Sequence, residues 1–161
     1  MRSVMGFLAK LGLTLAASVA AALALVGYRH RSARQQEIRQ RRARQEFLLR
    51  REWLEARFLQ MASARGLPRG LAWTDCDFDS PVSFARDRKT GELTALVAVT
   101  IRFEAIESGG MEAVEAVAEA KAATAVFRYD GQQWTTGGRA IFNPNPVEAI
   151  QFYQSELETV D

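Results

Sequence analysis

The chain has one cysteine and one histidine in 161 residues. A single cysteine excludes an internal disulfide and fits a reducing compartment. The histidine, His30, lies two residues beyond the uncharged run that ends at Tyr28. The remainder of the chain therefore has no imidazole to serve Cys76 or any serine as a base, which excludes a Cys–His or Ser–His–Asp arrangement there. No phosphate-cradling glycine loop and no dinucleotide fingerprint occurs. Carboxylate pairs are plentiful but carry no specificity. Charge is nearly missing from residues 1–28, which hold only Arg2 and Lys10.

That uncharged stretch is the first positive feature. Leu11 to Tyr28 reads LGLTLAASVAAALALVGY. As a helix it would span about 27 Å, close to the hydrocarbon thickness of a bilayer. Val4, Met5, Phe7 and Leu8 extend it beyond Lys10, whose long stem can snorkel. A cleaved signal peptide is the alternative, permitted by the basic start and the small residues 16–22. No cleavage site stands out and the apolar run continues to Val26, so an uncleaved anchor over residues 1–28 is the expectation. Arg29, Arg31, Arg34, Arg39, Arg41, Arg42 and Arg44 follow within 16 residues of Tyr28. Positive residues stay inside, which predicts a single-pass protein with its C-terminal part cytoplasmic.

Charge is strongly segregated. Residues 29–69 carry twelve arginines against four glutamates, a net +8, and residues 70–161 carry seven Lys/Arg against fifteen Asp/Glu, a net −8. Residues 29–46, RHRSARQQEIRQRRARQE, contain no glycine or proline and one large apolar residue, Ile38. Their composition favours a solvated helical stalk. The seven arginines are candidate contacts for anionic lipid headgroups, each worth about 1 kcal/mol near a charged surface. They also suffice as a topology determinant alone. An arginine-rich helix can track phosphates, but the absence of interleaved aromatic residues and the position beside an anchor weigh against nucleic acid.

From Phe47 the pattern turns amphipathic. Phe47, Leu48, Leu54, Phe58, Met61 and Ala62 recur at helical spacing, and Gly66 and Pro68 end the run. One helix is predicted to continue from the stalk into a domain over 47–161. Strand candidates follow at 71–79 and 82–86, separated by Ser80-Pro81, with a turn at DRKTGE. Leu93 to Ile106 is the strongest strand, with Leu93, Ala95, Val97, Val99, Ile101 and Phe103 on one face. Residues 113–123 suit a helix by alanine content and a strand by context; strand from about Val117 is the expectation. Asp130-Gly131 marks a hairpin turn, and Trp134 to Phe142 reads as the last strand. Asn145, Pro146 and Glu148 form a capping signature. It should open a final helix to about Thr159 that buries Val147, Ile150, Leu157 and Phe152 or Tyr153. Helix, about four antiparallel strands in a curved sheet, then helix makes an α+β domain.

The segments GLPRGLAWTDCDFD, VSFARDRKTGELTALVAVTIRFEAIESGGME and AATAVFRYDGQQWTTGGRAIFNPNP resemble an uncharacterised family of small membrane-anchored bacterial proteins. The resemblance implies neither an activity nor site residues. A helix followed by a meander with a DGxxW hairpin is also loosely similar to the cystatin/NTF2-like superfold, which hosts enzymes and pure binding modules alike.

TDCDFDS, residues 74–80, surrounds the cysteine with Asp75, Asp77 and Asp79. The spacing opens like a calcium loop, but position 6 is Ser80 where glycine is needed, and position 12 is Arg86 where glutamate is needed. A solvated strand face, with Cys76 and Phe78 turned to the core, is the better reading. Trp73, Trp134, Phe127 and Tyr129 are expected in the core ahead of a pocket. The sequence thus predicts no catalytic, cofactor-binding or metal residues and no cofactor. It predicts a non-enzymatic membrane protein whose domain binds or assembles at the membrane surface, with a protein partner or a second copy. The alternative is a small-ligand-binding or enzymatic NTF2-like domain with a pocket between helix and sheet.

Overall fold

In the computed structural model the described backbone comprises residues 2–64, 71–105 and 120–160, with side chains described for 23–64, 72–104 and 120–160. The chain divides into two compact units, Met1–Arg42 and Ala43–Asp161. The first unit is helical throughout its described part and belongs to α1, Arg2–Leu49. Residues 23–39 are exposed on all sides, including Leu23, Leu25, Val26 and Tyr28 at the end of the uncharged run and Ile38 among the arginines and glutamines. Among the described residues no helix is long and apolar enough to cross a membrane. Most of the run Leu11–Tyr28 falls in residues 1–22, whose side chains lie outside the described residues.

The second unit begins with the last turns of α1 and continues in α2, Arg51–Ala64. The single helix expected from the periodicity is interrupted at Arg50, although its amide still donates to the carbonyls of Glu46 and Phe47 at 3.0 and 3.2 Å. Ala43 and Phe47, then Leu54, Phe58 and Ala62, are buried at spacings of four, the stripe that a helix presents to a core. Leu48 is not part of it and stays 56% exposed; Met61 is half-buried.

The sheet has six antiparallel strands where about four were expected: β1 Leu71–Asp87, β2 Leu93–Ala105, β3 Lys121–Tyr129, β4 Trp134–Thr135, β5 Ala140–Phe142 and β6 Leu157–Thr159. The order is β4-β3-β2-β1-β6, and β5 pairs with β3 beside β4. The predicted last strand, Trp134 to Phe142, is thus two short ones, because residues 136–139 leave the ladder around Gly138. The two strand candidates 71–79 and 82–86 are one strand. Ser80-Pro81 falls in a register fault between Phe78 and Val82 rather than in a break. The ambiguous segment 113–123 falls largely outside the described residues; β3 starts at Lys121.

Alternation decides which side chains meet the helices. Leu93, Ala95, Val97, Val99 and Ile101 of β2 form one buried row, as the sequence predicts, and Ala123, Ala125 and Phe127 of β3 continue it. Phe47 reaches Phe127, Trp134 and Phe84 with ring centroids at 5.3, 4.9 and 5.9 Å. Phe58 reaches Phe78 and Phe127 at 5.7 and 5.8 Å. The indole Nε1 of Trp134 donates to the Ala43 carbonyl at 2.6 Å, which satisfies the one polar atom this ring buries.

The other face of the sheet is covered by α3, Pro146–Phe152. Ala85 and Leu96 meet Ala149 and Ile150, with Ile141 and Leu157 at the margin. The predicted cap is present in full: the Asn145 side chain accepts from the Glu148 amide, and the Glu148 carboxylate accepts from the Asn145 amide. The helix ends at Phe152, well short of Thr159. The chain then turns and pairs Leu157–Thr159 with Ala85–Asp87. Ile150 is buried as expected, whereas Val147 and Phe152 are 57% and 79% exposed. A helix of two turns has room for only one inward stripe.

Candidate functional site

Four places could carry function, and the stalk comes first. Arg29, Arg31, Arg34, Arg39, Arg41 and Arg42 are exposed on α1. Among the described residues none of them pairs with a carboxylate; the one ion pair on this helix joins Glu46 to Arg50 at 3.5 Å. Their charge is therefore free to act on something outside the chain. Arg44 belongs to the folded unit instead. It is half-buried, with its guanidinium carbon 5.5 Å from the centroid of the Phe84 ring and its Nε buried without a partner. Six of the seven predicted headgroup contacts are thus presented to solvent, and the seventh is folded onto an aromatic ring.

The acidic stretch of β1 comes second. A one-residue register fault at Thr74 places Trp73 opposite Phe103 and Asp75 opposite Arg102. An extra residue reverses the side-chain alternation. Trp73 on one side of the fault and Cys76 and Phe78 on the other therefore all pack against the same core. Asp75, Asp77 and Asp79 are exposed. Arg102 holds Asp75 at 2.7 Å and Asp77 at 3.4 Å, and the Asp75 carboxylate also accepts from the Cys76 amide at 2.9 Å. Among the described residues no group of His, Cys, Asp and Glu side chains is arranged to hold a metal ion. Burial, reinforced by the charges of Asp75 and Asp77, pushes the Cys76 thiol up to about 11. A thiol so poorly ionised is a weak nucleophile. Three carboxylates at alternate positions are here a wet strand face with a local arginine partner.

The space between helices and sheet, third, is where a ligand pocket would lie in a fold of this kind. Among the described residues it is occupied by the chain's own rings. Phe127 and Trp134 are 0% and 2% exposed, and Trp73 and Tyr129 pack against the same cluster. These four aromatic residues are core residues, as the sequence predicts.

The fourth place lies on the opposite face of the sheet, where α3 stops short. A cleft of about 150 Å³ opens there between the strands and the segment after α3. Its apolar lining comes from Leu96, Val126, Ile141 and Leu157, and its charged lining includes Arg128, Arg139, Glu92 and Glu156. Arg128 stands opposite Thr94 in the β2–β3 ladder. Arg139 is set by its own carbonyl, which accepts from the Val126 amide at 3.1 Å. Its guanidinium carbon lies 5.5 Å from the Tyr153 ring centroid, and Nη2 donates to the Tyr153 hydroxyl at 3.4 Å. Asp87, also in the lining, accepts from the amides of Lys89 and Thr90 at 2.8 Å, and these bonds hold its carboxyl below the usual range. The sequence held no signal for this cleft. Its residues come from four separate stretches, and it exists because α3 ends early and β6 folds back, which periodicity did not foretell.

Neither a protein-family model, nor a curated protein, nor a solved structure matches this chain, so its site is known from its own geometry alone.

Proposed function

We propose that the chain is a non-enzymatic, single-pass membrane protein whose α+β domain is a binding or assembly module held at the cytoplasmic membrane surface. The observation that carries the non-catalytic reading is the filling of the interior. Among the described residues seven aromatic rings occupy the space between helices and sheet, where the alternative of an NTF2-like pocket needs a cavity. The lone thiol is half-buried and poorly ionised, and the lone histidine lies outside the folded unit. The membrane part of the reading rests on the uncharged run Leu11–Tyr28 and the arginines after it. The six solvent-facing arginines are suited to anionic headgroups.

The test is fractionation of the tagged full-length chain, followed by cross-linking in intact membranes. The protein should stay with membranes through an alkaline carbonate wash and yield a defined cross-linked species, either a second copy or one partner. Release by carbonate would overturn the anchor. Fusion of a reporter active only outside the cytoplasm, placed after Asp161, should be silent; activity would overturn the orientation.

A further inference from the structure

We propose that the cleft on the α3 side of the sheet binds a small amphoteric molecule, one carrying an anionic group and a cationic donor a few bonds apart. This deepens the reading of the domain as a binding module and rests on it. Arg128 and Arg139 would hold the anion, and Glu92 and Glu156 the cation.

The fold leaves charge unused at this cleft. Two guanidinium groups and two exposed carboxylates line a cleft of about 150 Å³. Arginine–carboxylate pairs form readily where the geometry allows, as Arg86 does with Glu158 at 2.6 Å a short way along the same sheet. Among the described residues neither Arg128 nor Arg139 makes such a pair. Both signs line the same cleft without an ion pair joining them among the described residues, and a molecule bearing both would engage the two at once. Asp87 adds a third carboxylate to the lining, its Oδ1 accepting from the amides of the turn after β1, and so reinforces the side of the cleft that would take the cation.

The cleft is also preorganised. Arg139 is steered by the Tyr153 ring and hydroxyl, so less rotamer freedom is lost when it meets an anion. Leu96 and Val126 give the cleft an apolar floor, suited to the short hydrocarbon link between the two charges. An isolated anion would gain the arginines but feel the glutamates, and an isolated cation the reverse. The charge pattern therefore selects against single-sign ligands.

Three compounds of matched size test this: β-alanine, propionate and propylammonium. The readout is the side-chain Nε–Hε signals of Arg128 and Arg139 in the full-length protein in micelles, assigned with Arg128→Lys and Arg139→Lys. β-Alanine should shift both signals saturably. Propionate should bind at least tenfold more weakly, and propylammonium should leave the arginine signals in place. Arg128→Gln or Arg139→Gln should weaken β-alanine at least tenfold, because charge-assisted hydrogen bonds are the strong class. Glu92→Gln should weaken β-alanine and leave propionate unchanged or improved. Linear, non-saturating shifts with β-alanine would overturn the proposal, and so would propionate binding as tightly as β-alanine. Arg128 is exposed and without an ion pair among the described residues, so its replacement should not unfold the domain. Membrane retention of the same variants is measured in parallel. If retention persists while β-alanine fails to bind, the site is refuted and the membrane reading is not.

Discussion

Gly138 offers the sharpest test of how α2 sits on the sheet. The residue has φ +71 and lies in the loop between β4 and β5. A Cβ built there would fall 2.6 Å from the Met61 carbonyl carbon and nearer still to the Ala62 nitrogen, both helix backbone. Backbone cannot rotate aside as the end of a long side chain can. Gly138→Ala should therefore incur left-handed strain of about 1–2 kcal/mol together with an overpacking cost of about 1–3 kcal/mol. Gly131, at φ +96 with nothing within 4 Å of its would-be Cβ, supplies the control. Gly131→Ala should show the strain alone. In urea titrations of the full chain in micelles, Gly138→Ala should be less stable than Gly131→Ala by about 1–3 kcal/mol. In thermal melts that gap is about 3–6 °C per kcal/mol for a domain of this size. Equal stabilities for the two variants would refute the close approach of the loop to α2.

Three further outcomes are expected. Cys76, with its thiol raised from 9.0 to about 11, should react with iodoacetamide at pH 8.5 about a hundredfold more slowly in the native chain than in urea. Because the folded value is the higher one, Cys76 contributes stability that is present below pH 9 and lost as pH rises towards 11; a native rate equal to the unfolded rate would exclude the packing described. Arg51→Met removes a guanidinium that donates to the carbonyls of Asp79 and Ser80 and to Glu55. Denaturant titration should show a loss of about 1.5–3 kcal/mol, and an unchanged midpoint would mean the register fault needs no clasp. Replacing Arg34, Arg39, Arg41 and Arg42 by glutamine in a fragment starting at Arg29 should weaken co-sedimentation with acidic vesicles by about 1 kcal/mol per residue. The attraction should fade as salt rises, and equal binding to neutral vesicles would remove the headgroup role.

The parts of the fold legible in the sequence were those fixed by short-range chemistry. Alternation in Leu93–Ile101, broken by Leu96, which packs on the other face, gave β2 its buried row. Asn145, Pro146 and Glu148 gave the start of α3, and Asp130-Gly131 gave a turn whose carboxylate accepts from the amides of Gln132 and Gln133 at 2.9 Å. What escaped was set at long range. Proline at 81 reads locally as a strand end, yet Arg51, 28 and 29 residues away in sequence, binds the carbonyls that the fault exposes and lets the strand continue. The C-terminal helix had apolar residues enough to continue to Thr159. It stops because Leu157–Thr159 finds a free stretch of β1 to pair with, an option no local pattern displays. The cleft was illegible for the same reason; the helix of the arginine-rich segment was legible from local composition, but its expected end at residue 46 was not, because Ala43 and Arg44 already pack on the folded unit.

One consequence of β1 reaches beyond the single molecule. Among the described residues β6 covers only Ala85–Asp87 of its outer side, so the stretch upstream is the rim of a six-stranded sheet. A bare rim recruits strands from other chains. This one is unfit for that at each step: the ladder is offset at Thr74 and again before Val82, Pro81 has no amide to give, and the Cys76 amide is taken by Asp75. Arginine covers two carbonyls, and three carboxylates line the strand. The acidic septet around the lone cysteine is thus a fence. The edge strand of a second copy would meet an offset, negatively charged ladder there and gain little by pairing with it.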